Sequence, residues 1–182
     1  MIKKAQVLLL FLVLLVGGCT SHKIVKKPQC NLRTFNESIN IDVTRPNYEQ
    51  QEDEEINVVR DMKKALKDEL ISNAFDIDNT QESLKLNVKI DGFTPGNQAV
   101  RLLVGWGAGK AVLRYSASFY DQEDNLLGKF SDDLQFGGMD MEVQGKTKEV
   151  AAFNDQEKVT KLMTDVAAKR IVRFALLKEL ED

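Results

Sequence analysis

The chain has 182 residues, 43% of them apolar and 29% charged, with a formal net charge of −3. That suffices for one domain with a real core plus a short flanking segment, argues against a disordered chain, and argues against electrostatic nucleic-acid binding. The only histidine, His22, and both cysteines, Cys19 and Cys30, fall near the start, so the rest of the chain lacks the His and Cys ligands on which zinc and haem sites usually rest and the partners for a Cys or Ser–His nucleophile.

Lys3 and Lys4 precede an apolar run over residues 5–16. Its 12 residues fall short of the roughly 20 that a permanent membrane helix needs, and they suit the apolar core of an export signal. The run ends in Val16, Gly17, Gly18 and Cys19, which resembles the lipobox of bacterial lipoproteins. The resemblance implies cleavage just before Cys19 and lipidation of its thiol, palmitate included. The expected organisation is a signal peptide over 1–18, a lipidated cysteine and tether over 19–35, and a domain over 36–182. Loss of Lys3 and Lys4 leaves 23 basic against 28 acidic side chains, a net charge of −5. Thr20 rather than Asp follows the cysteine; by resemblance to the Gram-negative sorting pattern, this implies an outer-membrane anchor with the domain facing the periplasm. Residues 20–33 read as a tether, with Lys23, Lys26 and Lys27, a helix-blocking Pro28 and no apolar period; a solvated linker is the ordinary account of the lysines, and contact with anionic headgroups is the alternative. Cys30 is an odd thiol in an oxidising compartment, open to an intermolecular disulfide or to a free or buried state.

Beyond the tether, two periodicities occupy separate blocks. Ile39, Ile41 and Val43 alternate with polar residues and predict a first strand. A helix is predicted over 52–73, with Ile56, Val59, Met62, Leu66 and Leu70 on one stripe and Asp53, Glu54 and Glu55 at its positive end. Leu84, Leu86, Val88 and Ile90 predict a second strand, broken by Gly92, Pro95 and Gly96. Ala111, Leu113, Tyr115, Ala117 and Phe119 predict a third, and residues 121–125 a turn. Leu126, Phe130, Leu134 and Phe136 predict a fourth strand, paired with the third as a hairpin. Residues 139–154 read as irregular. A last helix is predicted over 155–180, with Val159, Leu162, Met163, Val166, Ala167, Phe174 and Leu177 on a broad face. The order β-α-β-β-β-α gives an α/β (α+β) two-layer sandwich: a four-stranded, largely antiparallel sheet with two helices on one face and the other face wet or covered by a partner.

The most unusual stretch is residues 101–111, Arg-Leu-Leu-Val-Gly-Trp-Gly-Ala-Gly-Lys-Ala, in which Gly105, Gly107 and Gly109 surround the only tryptophan, Trp106. A phosphate loop needs glycine where Val104 stands and Ser or Thr where Ala111 stands, and the dinucleotide fingerprint needs wider glycine spacing. Two readings stay open. The glycines permit a tight, bulged approach to the third strand with Trp106 capping the core. Alternatively Arg101, Gly105, Trp106, Gly107, Gly109 and Lys110 form an interaction loop that shows an indole to a partner or membrane interface. With the following strand, the acidic turn and Leu127-Gly128-Lys129, this stretch resembles the bacterial envelope lipoproteins grouped as domain of unknown function 4410. The family usually carries Phe at the position of Trp106. The resemblance implies a periplasmic α/β domain on a lipid anchor and supplies no activity or catalytic residues.

Asp121, Glu123, Asp124, Asp132 and Asp133 offer carboxylates, but they fall on a predicted turn and a wet strand, where solvated acids are expected. The turn also lacks the glycine and glutamate of a calcium loop. Lys169, Arg170 and Arg173 cluster on the last helix as a candidate docking patch for an acidic partner, against salt bridging within the domain as the ordinary account. The expectation is therefore a lipid-anchored, non-enzymatic binding or assembly module of an envelope complex, with no cofactor or metal, an unidentified protein partner and self-association open. The alternative is a lipid-anchored hydrolase of envelope polymer working through paired carboxylates. A small-molecule carrier would need an enclosed apolar cavity.

Overall fold

In a computed structural model of the chain, which describes residues 21–28, 32, 38–45, 57–77, 83–96, 109–136, 140–143, 146–149 and 156–178, the alternating blocks form one sheet. Its strands are β1 (Ser21–Lys26), β2 (Ser38–Thr44), β3 (Asp76–Ile77), β4 (Leu84–Thr94), β5 (Ala111–Tyr120) and β6 (Leu126–Phe136). They lie in the order β1-β6-β5-β4-β2-β3. Helix α1 (Val58–Ser72) falls between β2 and β3, and helix α2 (Gln156–Ala175) ends the described fold. A separate hairpin joins β7 (Asp140–Val143) to β8 (Lys146–Glu149).

The register sorts the side chains onto two faces. Ile39, Ile41 and Val43 stand opposite Leu84, Leu86 and Val88; Leu86, Val88 and Ile90 stand opposite Phe119, Ala117 and Tyr115. Ala111, Leu113 and Ala117 in turn face Phe136, Leu134 and Phe130. These residues are buried and form one core with Val58, Met62, Leu66 and Leu70 of α1 and Val159, Met163, Ala167, Ile171 and Phe174 of α2. The Phe174 ring packs on Phe130 at 4.8 Å between centroids, which seats α2 on the β5–β6 hairpin. Thr160 and Thr164, buried on α2, return their hydroxyls to carbonyls of the preceding turn, Thr160 to Gln156 at 2.8 Å and Thr164 to Lys161 at 2.9 Å.

The α+β class and the β5–β6 hairpin agree with the sequence reading, but its four strands and β-α-β-β-β-α order do not. The sheet has six strands, and residues 139–154, read as irregular, contain the β7–β8 hairpin. The first-predicted strand pairs parallel with both β3 and β4, with α1 as the crossover between β2 and β4. The stretch read as a tether contains β1, which runs antiparallel to β6, and Pro28 and Leu32 beyond it are buried. The β1 side chains from Lys23 to Lys26 are all exposed, so over these residues the strand has no buried face and carries none of the alternation by which strands are recognised.

Helix α1 begins at Val58 rather than at residue 52. The Asn57 side chain caps it, accepting a hydrogen bond from the Arg60 amide at 2.7 Å. Its end is equally local: the amides of Ala74 and Phe75 donate back to the carbonyls of Ile71 and Leu70 at 3.0 and 3.1 Å. Phe75 is buried there with Leu70. This ending puts Ala74 in the left-handed region, at φ 63°, where glycine is the favoured residue. Leu177 closes α2 in the same way at φ 55°, so this residue, assigned to the helix face from its period, lies past the helix. Ala74→Gly is expected to stabilise the fold by about 1 kcal/mol, a rise of about 2–4 °C in melting temperature for a chain of this size, measurable by calorimetry.

Candidate functional site

On β6 the inward positions are Gly128, Phe130, Asp132, Leu134 and Phe136. Asp132 thus occupies a core position, and its side chain is fully buried while that of Arg170 is 13% exposed. Its Oδ2 accepts from the Tyr115 hydroxyl at 2.8 Å and from Arg170 Nη1 at 2.9 Å. Its Oδ1 accepts from the Asp133 amide at 2.9 Å. Tyr115 stands directly across the hairpin from Asp132, and Arg170 reaches down from α2. Burial above all, and then the Asp132 charge, raise the Tyr115 hydroxyl well above its usual range, so it stays a donor. Among the described residues no buried side-chain nitrogen or oxygen lacks a partner.

Both carboxylate oxygens are held by donors, so the cluster clamps α2 to β5 and β6. The raised Tyr115 sets an alkaline limit. With the folded hydroxyl titrating above the unfolded one, the stability it lends is whole below pH of about 10 and declines above it. Thermal melts between pH 9 and 11 are expected to fall more steeply for the native chain than for Tyr115→Phe; equal slopes would remove the argument.

The outer face is polar, as the alternation predicts. Arg114 pairs with Asp133 at 3.0 Å, Lys85 with Asp124 at 2.7 Å and Lys89 with Asp91 at 2.9 Å. In the turn, Asp121 Oδ1 accepts from the amides of Glu123 and Asn125, at 3.1 and 2.7 Å. Its Oδ2 takes the Asn125 side chain at 3.0 Å. These bonds, the Asn125 side chain foremost, lower the Asp121 carboxyl below its usual range. Asp121 is therefore the organiser of a tight turn.

Asp132 corrects the sequence reading of Asp132 and Asp133 together as solvated acids. Of the expected docking patch, Arg170 is drawn inward to Asp132. Lys169 and Arg173 stay half-buried on α2, and Lys169 with Lys161 opposes the burial that raises the Asp165 carboxyl. The pairing was discoverable: Asp132 keeps phase with Phe130 and Leu134, and Arg170 keeps phase with Met163, Ala167 and Phe174. Of the Gly-rich stretch, Gly109 sits in a turn at φ 67°, where glycine is needed, and Lys110 is exposed ahead of β5. Arg101, Gly105, Trp106 and Gly107 lie outside the described residues, as do Val16, Gly17, Gly18, Cys19 and Cys30. Gly128, by contrast, has a clear role. A Cβ there would meet Pro28 Cγ at 2.8 Å and Phe174 Cε1 at 3.1 Å, so only glycine lets the segment after β1 and the last helix close over β6.

The fold and this clamp define a two-layer α+β domain that includes its own N-terminal edge strand. The chain belongs to the family described as domain of unknown function DUF4410, whose profile matches residues 30–158. No curated protein matches. Among solved structures it is similar to the PelC dodecamer from Paraburkholderia phytofirmans, at 8% identity and a TM-score of 0.50, covering 89% of this chain and 100% of that one. It is also similar to a minor lipoprotein from Acinetobacter baumannii, at 14% identity and a TM-score of 0.39, over 75% of this chain and 90% of that one. A DUF4136 family protein from Bacteroides thetaiotaomicron shares 11% identity at a TM-score of 0.41, over 84% and 97% of the two chains. At these identities the PelC likeness is one of fold.

Proposed function

We propose that this protein is a lipid-anchored cell-envelope lipoprotein whose domain serves as a non-enzymatic binding or assembly module. The leader ending in Val16-Gly17-Gly18-Cys19 carries the reading: two or three acyl chains on one cysteine hold a domain at a membrane, since each buried methylene contributes about 0.8 kcal/mol. Thr20 favours the outer membrane, with the domain in the periplasm. Among the described residues no helix is long and apolar enough to cross a bilayer, which is compatible with an anchor of this kind. Four of the five carboxylates on which a hydrolase would depend, all but Glu123, have other tasks. Asp132 is spent on Arg170 and Tyr115, Asp133 on Arg114, Asp124 on Lys85, and Asp121 on its own turn. The fold shared with PelC, which forms a dodecamer, supports self-assembly as one form the module takes, with the loop around Trp106 as a candidate contact.

Growth with labelled palmitate is expected to mark the native protein and not Cys19→Ser; label retained in the variant would overturn the anchor. Crosslinking in intact cells followed by mass spectrometry is expected to capture a protein partner or further copies of the chain, less so in Trp106→Ala. A cell-wall hydrolytic activity abolished by paired Asp→Asn changes in a folded protein would overturn the module.

A further inference from the structure

Among the described residues the large apolar side chains left exposed are Ile24, Val25 and Ile71, at 46%, 54% and 53%. Two of these are neighbours on β1, the edge of the sheet, and they sit among Lys23, Lys26 and Lys27, all exposed. Lys129 of β6 stands opposite Lys26. This edge is therefore basic and apolar at once, on a chain whose overall balance is acidic.

We propose that this edge is a membrane-docking surface. The ammonium groups of Lys23 and Lys27 meet anionic headgroups; Ile24, on the side of Phe130, and Val25, at the bulge, reach the apolar boundary along the same edge. The inference rests on the reading of Cys19 as the acylated residue. Strand β1 starts at Ser21, and two residues of chain reach at most about 7 Å. Acyl chains buried at Cys19 therefore put the start of β1 at headgroup depth. The strand is no free leash, because it is paired to β6 and followed by Pro28, buried against Gly128 and Phe174. The body is accordingly held edge-on to the bilayer.

An added strand from another protein is the competing occupant of such an edge, and two features oppose it. The register with β6 shifts between Ile24 and Lys26, a bulge that spoils a flat pairing edge, and lysines line the strand. The Lys26 ammonium also turns back to the Leu126 carbonyl, which leaves Lys23 and Lys27 as the cleanest reporters. A basic side chain at an anionic surface strengthens attachment by about fivefold.

The test is amine labelling with mass-spectrometric readout on the mature protein purified from membranes. One sample is in detergent micelles, and the other is in vesicles of phosphatidylcholine and phosphatidylglycerol mixed three to one. Lys23 and Lys27 are expected to lose at least about fivefold in labelling rate on the vesicles. Lys63, Lys64 and Lys67, exposed on α1, are expected to hold theirs, and added salt to weaken the protection. The same spectra show whether Cys19 carries fatty acid. A bare Cys19 overturns the anchor and this inference with it. An acylated Cys19 with Lys23 and Lys27 fully reactive overturns docking alone. Protection that persists in micelles and grows with protein concentration assigns the edge to a second copy of the chain, which also overturns docking. K23Q/K27Q, which touches none of the core, is expected to abolish the difference between vesicles with and without phosphatidylglycerol in the exchange of β1 amides. An unchanged difference refutes the role given to the two charges.

Discussion

Arg170→Ala is expected to destabilise the fold by about 3–5 kcal/mol, the range for removing one member of a buried ion pair. The loss arises from what is left behind more than from the bond removed. Asp132 would be left in the core with only the Tyr115 hydroxyl and the Asp133 amide as partners. The guanidinium is only 13% exposed, so solvent screening cannot replace it. Equilibrium urea unfolding should show the midpoint falling at unchanged slope, because the area exposed on unfolding is nearly constant. Arg170→Lys should recover part of the loss, since a compact ammonium supplies charge without the planar fork. The decisive variant removes the whole cluster: Tyr115→Phe, Asp132→Leu and Arg170→Met together. If the orphaned carboxylate is the cause, this triple variant should be far more stable than Arg170→Ala and close to the native chain. A triple variant as weak as the single one would show that α2 packing, not the stranded charge, sets the loss.

The same cluster shows where sequence reading succeeds and where it stops. Strands β2, β4, β5 and β6 announce themselves because one face is core and the other wet, so apolar residues recur at every second position. The polar outer pairs, such as Arg114 with Asp133, follow from that phase. Strands β1 and β3 escape because one is an edge with exposed lysines and the other has two residues. The parallel pairing of β2 with β4 escapes because alternation fixes which face is buried but not which strand is the neighbour. Residue type alone misplaces Asp132; its phase with Phe130 and Leu134 points inward and is the better guide. Gly109 at φ 67° bears on the Gly-rich stretch: at least one of its glycines serves backbone conformation at the approach to β5.

Gly128 supplies the sharpest test that residues 21–28 belong to the body. A Cβ at this position would lie 2.8 Å from Pro28 Cγ and 3.1 Å from Phe174 Cε1. Neither neighbour yields easily, one being a rigid ring and the other a core side chain packed on Phe130. Gly128→Ala is therefore expected to cost about 1–3 kcal/mol, the usual range for overpacking. Part of that loss should be local. Of the two obstacles Pro28 is the nearer and lies two residues past the short edge strand β1, so β1 should detach before α2 shifts. Hydrogen exchange should accelerate at residues 21–26 while the β4–β5 amides keep their protection. Pro28→Ala should relieve the clash, so the double variant should be more stable than the sum of the single changes implies; additive losses would place the strain at Phe174 instead. The consequence reaches the membrane. With β1 docked, Cys19 lies two residues from the folded body; with β1 and Pro28 released, the next described residue held in the core is Leu32, which leaves slack on the order of 20 Å for a flexible chain of that length. If Cys19 carries the proposed acyl chains, one added methyl group should thus turn a body held edge-on to the bilayer into one that swings on a leash, with the amine-labelling protection at Lys23 and Lys27 lost while the acylation of Cys19 stays.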